Sequence, residues 1–189
     1  MKVPSSRCGQ HGTSLIEVLV TIIIISFGLL GLAGLQSRMH LSEMESYQRA
    51  QALALLSDMA DRIAVNRGLA AQYVTTAANP LGAAMLCPTS PGTRPQIDAA
   101  EWCNALQGAA EVTAGGNSVG AMVGARGCIE SLPDNEYMVT VAWQGLSPVS
   151  APPASVGCGQ GAYDEAGTVC TQDRCRRVVT TIVRIATLN

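Results

Sequence analysis

The chain has 189 residues, which is enough for one domain with its own core and an additional extended element. Its formal net charge is -2, so no general attraction draws it toward nucleic acid. Lys2 is the only lysine, which excludes serine–lysine catalysis in the rest of the chain. No P-loop or dinucleotide-binding glycine motif is present, and the carboxylates are too scattered to suggest an acid–base pair. Composition therefore gives no support to an enzyme.

The N-terminus combines a basic segment with a long apolar run. Residues 1–12 are polar, contain Lys2 and Arg7, and have no acid. Residues 15–35 are apolar except for two hydroxyl side chains, three glycines and one acid, Glu17. About 20 helical residues span about 30 Å, the thickness of the hydrocarbon layer of a bilayer. Because positive charge precedes the run, we expect a cytoplasmic N-terminus and a domain on the opposite side of the membrane.

The polar segment ends before the apolar run, whereas an ordinary secretory signal is cut after a shorter apolar core. Residues 12–19, GTSLIEVL, closely resemble the consensus of class III prepilin leaders. The resemblance implies that a membrane aspartyl prepilin peptidase cleaves between Gly12 and Thr13. It also implies N-methylation of the new amine of Thr13. Thr13 itself departs from the pattern, in which the first mature residue is usually large and apolar.

Glu17 is the one acid within the apolar run. An ionised carboxylate at this depth is energetically costly unless a cation pairs with it. The α-amine of Thr13 is the natural partner, either one turn away in the same helix or on a neighbouring subunit. The resemblance implies the second arrangement, in which the acid guides an incoming subunit into register. The alternative is an acid near the membrane edge whose side chain reaches the lipid headgroups.

Three glycines follow at intervals of three residues, at Gly28, Gly31 and Gly34. Small residues at such spacing allow helix backbones to approach closely, which predicts a helix-packing role in assembly. They also weaken an isolated helix. The alternative is that membrane helices simply tolerate glycine.

The helical pattern continues beyond the apolar run, with no proline before Pro80. Apolar residues recur mostly at steps of three and four between Leu41 and Ile63, with charged residues on the opposite face. We therefore expect one helix over residues 14–67, roughly 80 Å long, capped at its C-terminus by Gly68. Its first half would be apolar all round and its second half amphipathic.

The C-terminal part of the chain reads as an α+β layer with long loops. Residues 69–96 predict a loop, residues 97–106 a short helix, residues 125–130, 136–144 and 175–187 strands, and residues 145–170 a long loop. In the clearest strand, alternate residues share one face: Tyr137, Val139, Val141 and Trp143. Arginines 174, 176 and 177 are interpreted as a solvated strand edge, with contact to DNA as a minor alternative.

Six cysteines follow the apolar run, while a seventh, Cys8, lies in the leader. The disulfide candidates are Cys87, Cys103, Cys128, Cys158, Cys170 and Cys175. An even number in loop-rich sequence behind a membrane signal favours disulfides, but six cysteines allow 15 pairings. The weaker alternative is a zinc site that includes Cys170 and Cys175.

The leader, residues 28–36 and residues 58–67 together resemble the type IV pilus modification proteins, the PilV-type minor pilins. The resemblance implies a type IV pilin-like α+β fold, in which a long N-terminal helix packs on a small antiparallel sheet with disulfide-stapled loops. The expected parts are a leader (1–12), a transmembrane and assembly half of the helix (13–35), an amphipathic half (36–68) and a periplasmic globular domain (69–189).

The implied function is that of a minor pilin that primes, or is incorporated into, a type IV pilus, without catalytic residues, cofactor or metal. Expected partners are minor and major pilins, the prepilin peptidase, the pilus assembly platform and a tip adhesin, and nucleic acid is not among them. The expected location is the bacterial inner membrane and then the pilus. Two alternatives are a minor pseudopilin of type II secretion and an anchored periplasmic domain that never polymerises.

Overall fold

The computed structural model describes residues 14–89, 92–109, 114 and 122–186. In chain order its elements are α1 (Leu15–Val65), a 3-10 helix η1 (Arg67–Tyr73), β1 (Leu81–Gly82), α2 (Arg94–Leu106), β2 (Arg126–Leu132), β3 (Glu136–Gln144) and β4 (Arg176–Arg184). These residues form two compact units, which divide α1 between Glu43 and Met44.

The first unit contains the start of α1, over residues 15–43. Every side chain in this part of the helix is exposed within the chain. It includes a stretch of 18 residues that is long and apolar enough to cross a bilayer. The predicted long apolar N-terminal helix is confirmed.

The second unit contains an antiparallel sheet with the strand order β1-β2-β3-β4. Strands β2 and β3 form a hairpin in which Leu132 pairs with Glu136. The turn residues Asp134 and Asn135 have φ values of 62° and 56°, a left-handed conformation that these two residue types tolerate well. The predicted turn and the predicted strand Glu136–Gln144 are therefore both confirmed.

One core lies between the helices and the sheet. Its α1 residues are Ala52, Leu56, Met59 and Ile63, and its β3 residues are Tyr137, Val139, Val141 and Trp143. The i, i+4, i+7 spacing on α1 and the alternation on β3 place each set on one face, as the periodicity predicted. From α2, fully buried Trp102 joins this core, and its indole N–H donates to the carbonyl oxygen of Leu55 at 2.9 Å.

Three local predictions need correction. Residues 69–96 are not only a loop, because η1 continues the chain to Tyr73 and β1 adds a short fourth strand. Gly68 does not end the helix, since α1 ends at Val65 and Gly68 lies within η1. The second helix begins earlier than predicted, at Arg94, because the hydroxyl of Thr93 and the side chain of Gln96 form a capping box.

Gly127 on β2 makes room for Trp102. A Cβ atom added at residue 127 would lie 2.3 Å from the Trp102 ring, which cannot move because it is fully buried. We therefore expect Gly127→Ala to lower the free energy of unfolding by about 2 kcal/mol. The matched control is Gly68→Ala, since an added Cβ there meets nothing within 4 Å. Thermal unfolding should separate the two variants, and equal melting temperatures would contradict this packing.

Candidate functional site

The start of α1 is defined by a few polar groups. The carbonyl oxygen of Ser14 accepts hydrogen bonds from the backbone N–H groups of Glu17 (2.9 Å) and Val18 (3.2 Å). Glu17 lies in the first turn, where the helix dipole favours a negative charge. Its side chain is exposed, and no cation among the residues described here pairs with it. Gly12 and Thr13, the predicted cleavage and methylation residues, lie outside the described residues.

The two hydroxyl side chains in the apolar part of α1 are satisfied within the helix. The Thr21 hydroxyl donates to the carbonyl oxygen of Val18 at 2.8 Å, and the Ser26 hydroxyl donates to that of Ile22 at 2.7 Å. Hydroxyls bonded in this way need neither water nor a partner helix. Glu17 is therefore the polar group in this part of the helix that needs an external partner.

The three glycines of α1 have no packing role within the part of the chain that the structure describes. Added Cβ atoms at Gly28, Gly31 and Gly34 would meet no atom within 4 Å. Each glycine lies on exposed helix surface. The structure therefore leaves these positions available for contact with another helix. The helix-packing role and simple tolerance of glycine both stay open as predictions.

The six cysteines downstream of the apolar run form three disulfides: Cys87–Cys103, Cys128–Cys158 and Cys170–Cys175. The first ties the segment after β1 to α2, and the second ties the loop between β3 and β4 to β2. The third closes a turn immediately before β4. Cys170 and Cys175, the residues of the alternative zinc site, are bonded to each other. Sequence could not select this pairing, because it depends on which loops meet the sheet.

Arg176 fixes the long loop before β4 from inside the protein. It is 1% exposed, and its guanidinium donates to the carbonyl oxygens of Val156 (2.6 Å) and Cys158 (3.1 Å). Asp173 lies 3.3 Å away as its ionic partner. The interpretation of this residue as part of a solvated edge was wrong, because the loop folds over it and supplies carbonyl oxygens.

Arg177 also departs from the predicted solvated cluster. Its guanidinium lies 3.1 Å from a carboxylate oxygen of Glu45 on α1 and donates to the carbonyl oxygen of Ser147 at 2.6 Å. The same Glu45 oxygen accepts from the backbone N–H of Leu146 at 3.2 Å. Arg177 therefore joins α1, β4 and the start of the long loop. No sequence signal distinguishes it from Arg174, which is exposed.

An ionic cluster joins the end of α1 to α2. The Nε atom of Arg62 donates to Asp58 at 3.0 Å, and its terminal nitrogen contacts Asp98 at 2.8 Å and Glu101 at 2.6 Å. Asp98 is fully buried, whereas Glu101 is exposed. One guanidinium thus bridges three carboxylates, two of them on the other helix, which fixes how the two helices pack.

The buried carboxylate of this cluster is fully satisfied. Asp98 accepts from the Tyr73 hydroxyl at 2.5 Å and from Arg62, and Arg94 lies 2.9 Å away. Burial alone would raise the pKa of Asp98, but the hydrogen bonds from Tyr73 and Arg62 outweigh it and hold the pKa below its ordinary value. Burial and the Asp98 carboxylate raise the pKa of Tyr73 to about 12. Because these groups satisfy one another, the cluster serves packing between elements.

Comparison with known families identifies the N-terminal segment. Residues 7–33 match the family model of the prokaryotic N-terminal methylation motif. The match includes Gly12 and Thr13, the predicted cleavage residues. It also includes Glu17, Gly28 and Gly31. No curated protein and no solved structure matches the chain. The chain therefore carries a type IV pilin-like prepilin motif, joined to an α+β fold of the type IV pilin-like kind.

The disulfides should differ in their contributions to stability. Cys128–Cys158 spans 30 residues and Cys170–Cys175 spans 5. If a disulfide stabilises the fold mainly by restricting the unfolded chain, Cys128–Cys158 contributes about 3.6 kcal/mol to the free energy of unfolding and Cys170–Cys175 about 2 kcal/mol. Paired serine substitutions at each disulfide, compared by denaturant unfolding, should give a larger loss for Cys128–Cys158. The reverse order would contradict this explanation.

Asp98→Asn should remove a pH-dependent part of the stability. Because the folded state holds the pKa of Asp98 below its ordinary value, its contribution is present above about pH 4 and is lost as pH falls through the folded pKa. We expect the variant to lose about 3 kcal/mol at pH 7, because the fully buried side chain at residue 98 would no longer form ion pairs with Arg62 and Arg94. Unfolding curves of both proteins should converge toward pH 3. A constant difference between pH 7 and pH 3 would contradict the assignment.

Proposed function

We propose that this chain is a minor pilin of the PilV type, a structural subunit that primes or is incorporated into a type IV pilus. One observation carries the proposal: the methylation motif over residues 7–33 leads without a break into a long exposed apolar helix that continues into an α+β domain. This order lets a single helix serve first as a membrane anchor and then as an assembly element. The chemistry required is association, so the chain acts as a structural protein rather than an enzyme.

Processing is the first step of the proposed function. A prepilin peptidase cleaves after Gly12, and Thr13 becomes the N-methylated first residue. Cleavage before the apolar run leaves that run attached to the mature protein, which stays in the inner membrane as a single-pass subunit with its C-terminal domain in the periplasm. Loss of Lys2 and Arg7 also removes positive charge that would oppose extraction of the helix from the membrane.

Assembly is the second step, and Glu17 directs it. In the apolar surroundings of lipid or packed helices, its carboxylate needs a cation. The Thr13 amine of a neighbouring subunit supplies one at the same depth, so pairing occurs only when two helices are in the correct axial register. A subunit placed out of register leaves both charges unpaired. Apolar contact alone would allow many axial positions of the two helices, and the charge pairing selects one of them.

The glycines support the same step by shape. Gly28, Gly31 and Gly34 are not needed for packing inside the chain, so their proposed role is to let a neighbouring helix approach closely. The partners are minor and major pilins through this helix and the pilus assembly platform, with a tip adhesin as a further partner of the exposed domain. The final location of the subunit is the pilus.

Glu17→Gln tests the assembly role. We expect the amount of this chain in sheared pili to fall by about tenfold or more, because an amide cannot pair with the amine of a neighbouring subunit. The matched control is Glu43→Gln, which removes another exposed carboxylate of the same helix, 3.3 Å from His40. Immunoblots of the pilus and membrane fractions measure both variants.

The outcomes separate the alternatives. Normal incorporation of Glu17→Gln would refute the assembly role. Recovery of the wild-type chain only in a secretion pseudopilus would indicate that the chain is a minor pseudopilin of type II secretion and not a pilin. Recovery only in membranes, at a mass that begins at Thr13, would indicate a processed anchor that does not polymerise.

A further inference from the structure

The sheet ends in a long, regular edge strand. In the order β1-β2-β3-β4, only one side of β4 is paired with another strand of the described chain. All nine residues of β4 stay in register with β3, from Arg176 opposite Gln144 to Arg184 opposite Glu136. The strand has no bulge and no proline, two of the features that protect an edge from further pairing, and its exposed arginine lies at its last residue, Arg184.

The direction of each backbone group on β4 follows from two flanking hydrogen bonds. The N–H of Gly145 donates to the carbonyl oxygen of Cys175 at 2.7 Å, and the N–H of Ile185 donates to that of Asn135 at 3.1 Å. In an antiparallel pair, residues bonded to the partner strand alternate with residues whose backbone groups point away. The odd-numbered residues of β4 therefore bond to β3, and the even-numbered residues direct N–H and C=O groups outward.

The outward set is Val178, Thr180, Ile182 and Arg184. The outward backbone groups of these four residues form no hydrogen bond with any residue that the structure describes. Thr180 and Ile182 are exposed, and Ile182 leaves 48% of its surface uncovered. Three of the four are β-branched, the side chains that pair best across neighbouring strands. The edge thus offers both the backbone groups and the side chains that an added strand needs.

Charge indicates what that strand would carry. Residues 174–184 contain no acid and four arginines, of which Arg176 and Arg177 are already paired with Asp173 and Glu45. Arg174 and Arg184 are exposed at the two ends of the edge, and Arg184 is 77% exposed although Glu136 lies 2.6 Å away. A second copy of β4 aligned over its full length would place its exposed Arg184 diagonal to the exposed Arg174 at both ends, which like charge disfavours. A strand with acidic residues at its ends has no such penalty.

We propose that the outer edge of β4 is a docking site for an extended segment of another protein, rich in β-branched residues and flanked by acids. The segment adds one strand to the sheet through the outward backbone groups of Val178, Thr180 and Ile182. Acids at its ends face Arg174 and Arg184. The site lies in the second unit and its test does not depend on assembly through α1.

The test uses the full chain in detergent micelles and a fluorescent peptide of 11 residues, which matches the span from Arg174 to Arg184. In this peptide valine and threonine alternate between an aspartate and a glutamate, and a control peptide carries arginine at both ends. Fluorescence anisotropy should show saturable binding of the acid-flanked peptide, about tenfold tighter than that of the control. No binding, or equal affinity for both peptides, would overturn the proposal.

Thr180→Pro removes an outward N–H but keeps every hydrogen bond to β3, so it should weaken binding of the acid-flanked peptide by about tenfold or more. Thr180→Ala keeps the N–H and should bind within about threefold of the wild-type chain. Unchanged binding by Thr180→Pro would overturn the proposal.

Amide hydrogen exchange tests the proposal on the unmodified chain, so its result does not depend on whether a variant folds. The amides of Val178, Thr180 and Ile182 should exchange more slowly when the acid-flanked peptide is bound. Unchanged exchange at these amides under saturating peptide would overturn the proposal. If these amides exchange slowly without peptide, and more slowly as the protein concentration rises, the strand that binds the edge is a second copy of the chain and not an acidic partner.

Discussion

The first half of α1 exposes an apolar surface that the described chain does not cover, and the rest of the account depends on this constraint. Every side chain from residue 14 to residue 43 is exposed within the chain. Apolar surface of this extent is unfavourable in water, so lipid or other helices must cover it. Lipid and packed helices both satisfy the apolar side chains, but neither satisfies Glu17. In the proposed function, pairing of this acid with the amine of a neighbouring subunit would distinguish an assembled subunit from one that is only inserted in the membrane.

The second unit has a different task, which is to remain folded at the end of such a helix. Covalent and ionic contacts add to its apolar core. Three disulfides fix the long connections, Arg176 holds a loop by its carbonyl oxygens, and Arg62 bridges α1 to α2. These contacts act at the points where elements meet, so they fix the arrangement of elements more than the elements themselves.

Local signals in the sequence were sufficient for much of this fold. The unbroken apolar run and its 3.6-residue continuation predicted α1, and strict alternation predicted β3 with the correct bounds. The two-residue strand β1 could not be predicted, because it exists only through pairing with β2. The early start of α2 followed from a capping box around Thr93 that was not recognised in the sequence.

Residues of the candidate site could be singled out from the sequence only where their type and spacing are unusual, and their roles stay predictions. Glu17 and the three glycines stand out in the sequence because each is unusual in its apolar context. Arg176 and Arg177 do not, because their roles depend on carbonyl oxygens and on Glu45, which only the folded chain brings near. The disulfide pairing is unpredictable for the same reason.

The most direct test of the account is the identity of the first residue of the chain in purified pili. Mass spectrometry of the sheared pilus fraction, with the membrane fraction measured in parallel, determines that residue. We expect a mature chain that begins at Thr13 and is present in pili. A chain that still begins at Met1, found in membranes and absent from pili, would contradict it.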